Sequence, residues 1–129
     1  MLCVKTKLKS SNISGIGLFA DEPIAKGEVI WEFSPDLDLL LSKEQVDNLS
    51  APAREQFFNY SYLDKIRGKY LLCGDDSRFF NHSDNPNCLD CTSDEKDITI
   101  AARDIEAGEE LTCDYKVFYG DIEDHQEIV

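Results

Sequence analysis

Basic residues are scarce in this chain: 13 Lys and Arg stand against 26 Asp and Glu, a formal net charge of −13 over 129 residues. A surface of that sign repels phosphate, which speaks against direct nucleic-acid binding and favours cationic partners such as Lys-rich peptides. No apolar run approaches the ~20 residues of a membrane-spanning helix, so no membrane partner is expected. The first ten residues alternate Lys with apolar side chains where a secretory leader would carry an apolar stretch. The five cysteines, Cys3, Cys73, Cys88, Cys91 and Cys113, are odd in number. Reduced thiols in an intracellular setting, cytoplasmic or nuclear, are therefore expected in place of a disulfide framework. Cys88 and Cys91 have the spacing of a ligand pair but lack a second pair at such spacing, so no metal site is expected. No cysteine stands in an electropositive setting that would activate it as a nucleophile. Low-complexity segments and linkers are missing too, and the length suits one modest core: a single domain over 1–129.

What is present reads mostly as strand. Short runs rich in β-branched and aromatic residues, punctuated by Gly, Pro, Asn and Asp, fall at Leu2–Leu8, Gly17–Ala20, Val29–Phe33, Tyr70–Cys73, Ile98–Ala102 and Glu110–Cys113. In the first run Cys3, Lys5, Lys7 and Lys9 share one face, and Leu2, Val4, Thr6 and Leu8 the other, predicting one wet side and one buried side. Leu39–Tyr62 differs. Ser42 with Gln45 three residues on forms a capping box, and Ser50 before Pro52 offers a second helix start with Phe57 and Phe58 behind it, predicting a short helical insert over about 39–58.

A nine-residue pattern recurs at an offset of 81: Ala20-Asp-Glu-Pro-Ile24-Ala-Lys-Gly27-Glu28 and Ala101-Ala-Arg-Asp-Ile105-Glu-Ala-Gly108-Glu109. Each copy holds a turn whose glycine can take positive φ, which suggests two similar β-units or chance turn chemistry.

Three stretches carry candidate chemistry. Asn81, His82, Ser83, Asn85 and Asn87 follow two phenylalanines that would anchor them, an arrangement suited to reading a heteroaromatic edge by hydrogen bonds, or to an Asx-rich turn closed by Pro86. Gly15-Ile16-Gly17 would let a backbone approach a ligand closely, without being a dinucleotide fingerprint. Glu110–Cys113 runs on to a phenol, Tyr115, which by itself could be a rim residue or a catalyst.

In this order, Gly15-Ile-Gly17-Leu-Phe-Ala20, Gly27-Glu28, Tyr62-Leu-Asp64, Arg78-Phe-Phe-Asn81-His82-Ser83 with Pro86-Asn87, and Gly108-Glu-Glu-Leu111-Thr-Cys-Asp114-Tyr115, the chain resembles the SET-domain protein lysine methyltransferases over about residues 4–115. The resemblance implies a mostly β, β-clip fold of small curved sheets around a pseudoknot. It implies S-adenosylmethionine as cofactor, S-adenosylhomocysteine as product, and a basic protein or peptide substrate of histone or ribosomal-protein type. By the same resemblance Gly15, Ile16, Gly17, Asn81 and His82 would hold the cofactor. Tyr115 would be catalytic, touching the cofactor and lining the lysine channel, and Tyr62 would line that channel or touch the cofactor. Arg78 would be structural. A free lysine, with a pKa near ~10.4, must lose its proton before it can attack, and a dry aromatic channel beside a sulfonium favours that loss.

The chain also departs from the family pattern. Asp84 stands where many members carry a zinc-binding Cys, and the acidic flank over 116–129 has no cysteine, so either Phe118 and Tyr119 cover the adenine and finish the channel or the flank is an acidic end with no part in the site. Cys113 occupies a position usually held by Phe or Tyr and would leave room for di- or trimethyl-lysine. A homodimer completing the cleft is compatible with the resemblance. The competing reading is a catalytically inert SET-fold module that binds a cationic partner, and cofactor binding discriminates the two.

Overall fold

The computed structural model describes residues 1–64, 67–93 and 96–114, and among them strands dominate. Two strands, β1 (Thr6–Ser10) and β2 (Ile16–Ala20), form an antiparallel hairpin running from Thr6↔Ala20 to Ser10↔Ile16. β3 (Val29–Glu32), β9 (Lys96–Ala101) and β8 (Cys88–Ser93) make a three-stranded antiparallel sheet in that order. A second three-stranded sheet runs β4 (Leu39–Leu41), β6 (Lys69–Leu72), β5 (Ser61–Asp64). The shortest pairing is parallel: β7 (Asn81–His82) beside β10 (Thr112–Cys113), registered Asn81↔Thr112 and His82↔Cys113. No helix of the described residues is long and apolar enough to cross a membrane.

The two predicted helix starts are where capping chemistry puts them. Ser42 accepts from the Gln45 amide while the Gln45 side chain accepts from the Ser42 amide, opening α1 (Lys43–Asp47). Ser50 accepts from the Ala53 amide and Pro52 sits in the first turn of α2 (Ala51–Tyr60). The helical stretch is narrower than expected, however, because Leu39–Leu41 pairs with Leu72, Leu71 and Tyr70 as a strand. Three leucines in a row carry no 3.6 or 2 periodicity, so their state is decided by the partner strand. The first expected strand is also interrupted. Leu2 bridges Trp31 and its amide reaches the Asp75 carboxylate, and the hairpin strand begins only at Thr6. Leu2, Val4 and Thr6 are partly covered and Cys3, Lys5, Lys7 and Lys9 exposed, as the alternation predicted, but Leu8 at the far end is exposed as well.

The repeat is structural. Its copies interlock: Ile24 and Ile105 exchange backbone hydrogen bonds at 2.9 and 2.8 Å, the Gly27 amide donates to the Ala101 carbonyl and the Gly108 amide to Ala20, both at 2.8 Å. The Ala20 amide donates to Glu109 and the Ala101 amide to Glu28, at 2.9 and 3.0 Å. Every bond has a mate under the 81-residue offset, so the two turns are related by an approximate two-fold axis. Gly27 and Gly108 hold φ of +85° and +93°, a region that side chains avoid. Ile24 and Ile105 are buried in the main core with Leu18, Ala20, Ile30, Cys88, Ala101 and Leu111. A second cluster stacks Phe57, Phe58 and Tyr70 edge to face, with centroids 5.6 to 6.4 Å apart, and fastens α2 to β6.

Candidate active site

Two hollows meet at the end of α2. One, of about 500 Å³, is lined by Ser14, Gly15, Ile16, Asn59, Tyr60, Arg78, Phe79, Phe80 and Asn81. The other is far narrower, about 50 Å³, and its wall includes Trp31, Tyr62, Cys73, Ser77, Thr99 and Cys113. Asn59, Tyr60, Arg78 and Phe80 line both, so the wide cleft and the narrow cavity share a wall.

The elements explain this placement. Phe57 and Phe58 take the core, so the last residues of α2, Asn59 and Tyr60, stand at its open end, and the chain turns directly into β5. The 3₁₀ turn Asp76–Phe79 is capped by Asp75 and aims Arg78 back onto the Cys73 carbonyl at 2.9 Å. It delivers Asn81 to β7, whose parallel pairing holds Asn81 and His82 beside Thr112 and Cys113. The Ser83 amide adds a bond to the Cys113 carbonyl at 3.0 Å, so the segment leading to Tyr115 is fixed against the Asn-His pair.

Among the sequence-predicted residues, Gly15, Ile16 and Asn81 face the wide cleft together; the Asn81 amide nitrogen lies 3.2 Å from the Ser14 carbonyl and 3.5 Å from that of Ile16. Gly17 differs: it lies outside the cleft lining. A Cβ there would stand 2.4 Å from a Glu110 carboxylate oxygen, so its missing side chain makes room for Glu110. His82 is not in the cleft lining either; its Nε2 is 2.9 Å from Asp84 and its Nδ1 3.8 Å from Asp114. Thus Asp84, at the position where many members have a zinc-binding Cys, is a hydrogen-bond partner of the histidine. Tyr62 and Cys113 line the narrow cavity and not the wide cleft. Tyr115, Phe118 and Tyr119 lie outside the described residues.

Sequence reasoning passed over Asn59, Tyr60 and Phe80 and treated Arg78 as structural. The available signal was positional: two polar-tipped residues directly after a core-facing Phe pair at a helix end. Tyr60 is 42% exposed yet stacks edge to face on Phe79 at 5.5 Å, so its ring is held although much of the residue is open to solvent.

The narrow cavity is lined mainly by aromatic rings, thiols and hydroxyls, with Arg78 as its charged side chain. Burial raises the Cys113 thiol well above its usual range and pushes Cys73 up to about 12, so both stay protonated at neutral pH and are poor nucleophiles. Burial, reinforced by the nearby Asp90, Asp97 and Asp64, likewise keeps the Tyr62 phenol protonated. Asp90 accepts from the Thr99 hydroxyl at 2.6 Å and is itself pushed up to about 6, chiefly by burial. Arg67 sits over the Phe33 ring and bridges Asp64 and Asp97 at 2.5 Å each, which ties β5 to β9. The buried Trp31 Nε1–H has no acceptor among the described residues, leaving a donor in a residue of the cavity wall for water or a guest to satisfy.

Cys88 and Cys91 point to opposite faces of β8, as strand residues three apart must, and only Cys88 enters the core. No group of three or more His, Cys, Asp or Glu among the described residues could hold a metal ion.

Known proteins resemble this chain in sequence and in fold. The SET domain family matches residues 15–116. Human histone-lysine N-methyltransferase SETD1B is 31% identical over 125 residues, covering 87% of this chain but 6% of the human protein. Human histone-lysine N-methyltransferase 2D is 32% identical over 127 residues, covering 92% of this chain and 2% of its own length. The chain thus spans only a small fraction of these relatives. A structure of ctPRC2 in an autoinhibited conformation bound to S-adenosylmethionine superposes with a TM-score of 0.69 at 25% identity, covering 96% of this chain and 16% of that one. A humanized mutant of the Chaetomium thermophilum Polycomb Repressive Complex 2 bound to the inhibitor GSK126 gives 0.68 at 26%, over 92% of this chain and 16% of that one. With most of its length matched to the family and its small sheets superposing on solved members, the chain belongs to the SET-domain family.

Proposed function

We propose that this chain is an S-adenosylmethionine-dependent protein-lysine N-methyltransferase acting on a lysine of a basic protein, of histone or ribosomal-protein type. The observation that carries the reading is the shared wall: a wide cleft and a narrow aromatic cavity are both lined by Asn59, Tyr60, Arg78 and Phe80, which would hold two ligands next to one another.

The cleft suits such a cofactor. It combines apolar surface from Ile16, Phe79 and Phe80 with an Asn81 amide whose nitrogen is already engaged, leaving its carbonyl to receive an ammonium or amine. Bound there, S-adenosylmethionine would supply an electrophilic methyl group on a sulfonium. The residues of this chain have to position and dehydrate the incoming amine. Arg67 pairs with Asp64 and Asp97, two of the carboxylates near Tyr62, and the buried aromatic and thiol walls disfavour a charged guest, so an entering lysine would be favoured as the uncharged amine. No buried base is needed in this scheme, since the proton leaves to water before the transfer. The Tyr115 hydroxyl is assigned the alignment of the amine, two residues past the cavity-lining Cys113.

The cationic substrate is favoured by the net charge of −13. A histone acceptor would place the protein in a nucleus. Incubation with labelled cofactor and mixtures of histones or ribosomal proteins tests the reading, with calorimetry on S-adenosylhomocysteine as the parallel measurement. Label on a lysine is expected; binding of neither cofactor form would favour an inert module. Tyr115→Phe should lower turnover by about 100-fold or more while changing cofactor affinity little, the pattern of a group used in the transition state. Because Cys113 is smaller than the usual aromatic, the product should extend beyond monomethyl-lysine in mass spectra, and Cys113→Phe should stop it there.

A further inference from the structure

We infer that Glu110 is a positioning residue that fixes the Asn81 amide, so that its carbonyl oxygen and not its nitrogen faces the wide cleft; this rests on the proposed cofactor reading for its functional consequence. Glu110 reaches its place by constraint from both sides. The Leu111 amide donates to the Leu18 carbonyl at 2.8 Å, the Ala20 amide to the Glu109 carbonyl at 2.9 Å, and the Asn87 side chain to the Glu110 carbonyl at 2.8 Å. The backbone around Glu110 is therefore clamped to β2 and to the loop after β7, and its side chain passes over Gly17, the one position in that hairpin strand without a Cβ to block it.

Once there, the carboxylate accepts from the Ser11 hydroxyl at 2.7 and 2.9 Å and from the Asn81 amide nitrogen at 2.8 Å. A carboxylate and backbone carbonyls can only accept. The Asn81 nitrogen faces three such acceptors, Glu110, the Ser14 carbonyl and, more distantly, the Ile16 carbonyl. Turning the amide over would set its oxygen against all three with no proton between them. The surroundings thus choose one orientation and present the cleft with an acceptor, suited to the donor end of a ligand. Ser11 completes the device: its hydroxyl proton goes to Glu110 while its oxygen accepts from the Ile13 amide at 2.9 Å, which anchors the loop that carries Gly15.

The test measures S-adenosylhomocysteine affinity by calorimetry and the Asn81 side-chain amide lines by NMR of the ligand-free protein. Glu110→Ala should weaken binding about tenfold or more, the scale of a lost charge-assisted hydrogen bond. It should raise the cofactor KM while leaving the peptide KM in place, and turn the two slowly exchanging Asn81 amide lines into fast-exchanging ones. Glu110→Gln keeps an acceptor for Asn81 and can donate to Ser11, so it should stay within about threefold of wild type. Should Glu110→Ala fold poorly, Gly17→Ala/Glu110→Ala puts a methyl group into the vacated space and should fold while binding as weakly. Wild-type affinity and wild-type amide lines in either alanine variant would overturn the inference. A wild-type protein that binds no cofactor, yet whose Asn81 lines respond to Glu110→Ala, would support the role of Glu110 and overturn the proposed function.

Discussion

The wide cleft and the narrow cavity share a wall but are built on different physics. On the cleft side the functional groups are held by directional polar bonds: Asn81 by Glu110 and two carbonyls, Glu110 by Ser11, Arg78 by the Cys73 carbonyl. On the cavity side they are held by packing, with Trp31, Leu71 and Cys73 forming a small core against Tyr62, and one polar atom, the Trp31 nitrogen, is left without an acceptor among the described residues. A cleft held by hydrogen bonds chooses the polarity of what it binds. A cavity held by packing chooses size and dryness, and makes every charge near it expensive.

That contrast can be broken most severely at Gly17. Gly17→Ala sets a Cβ 2.4 Å from the Glu110 carboxylate and 3.0 Å from Ser11 Cβ, and should cost about 1–3 kcal/mol, as overpacking in a filled site does. Thermal unfolding should fall by several degrees, and the loss should vanish when Glu110 is also shortened. Next comes Tyr60, which faces both hollows. Tyr60→Ala should weaken cofactor binding and raise the peptide KM together, each about tenfold, whereas Tyr62→Ala should raise the peptide KM alone. Equal behaviour of the two variants would show that the hollows are not separate.

The smallest effect sharpens the electrostatic half of the comparison. Asp90 has its folded-state pKa pushed up to about 6, above the ordinary carboxyl value, so between about pH 4 and about pH 6 the folded protein holds a proton there that the unfolded chain has lost. The sign follows: Asp90 costs stability as pH rises from about 4 through about 6, and the cost is fully present at pH 7. Asp90→Asn keeps an acceptor for the Thr99 hydroxyl without the charge, and should raise stability by about 1–2 kcal/mol at pH 7, fading to nothing below about pH 4. Denaturant melts at the two pH values measure it. A variant less stable than wild type at pH 7 would mean that the carboxylate is paired better than its burial indicates.

Legibility in the sequence followed the range of the interactions. Helix starts at Ser42 and Ser50 were readable because a cap is a bond between residues three apart. The paired turns at Gly27 and Gly108 were readable as a repeat, since each needs a positive φ and shows it as glycine. Leu39–Leu41, Ser61–Asp64 and Asn81–His82 were not readable as strands, because short segments become strands only when a partner supplies the other half of the ladder. Tyr60 escaped notice for the same reason, since its importance lies in which two hollows the end of α2 happens to divide.

By itself the sequence determined the family, through motifs whose order leaves little freedom, along with the mostly β character, the acidic surface and the residue types available for chemistry. Only the tertiary structure decided which of those residues meet. It set the Glu110 carboxylate over Gly17, placed His82 outside the cleft lining, and set Asn81 against acceptors that fix its amide. The physical reason is that steric room and hydrogen-bond polarity belong to pairs of atoms from distant segments: Ser11, Gly17, Asn81 and Glu110 become one unit only after four stretches of chain have been brought within bonding distance.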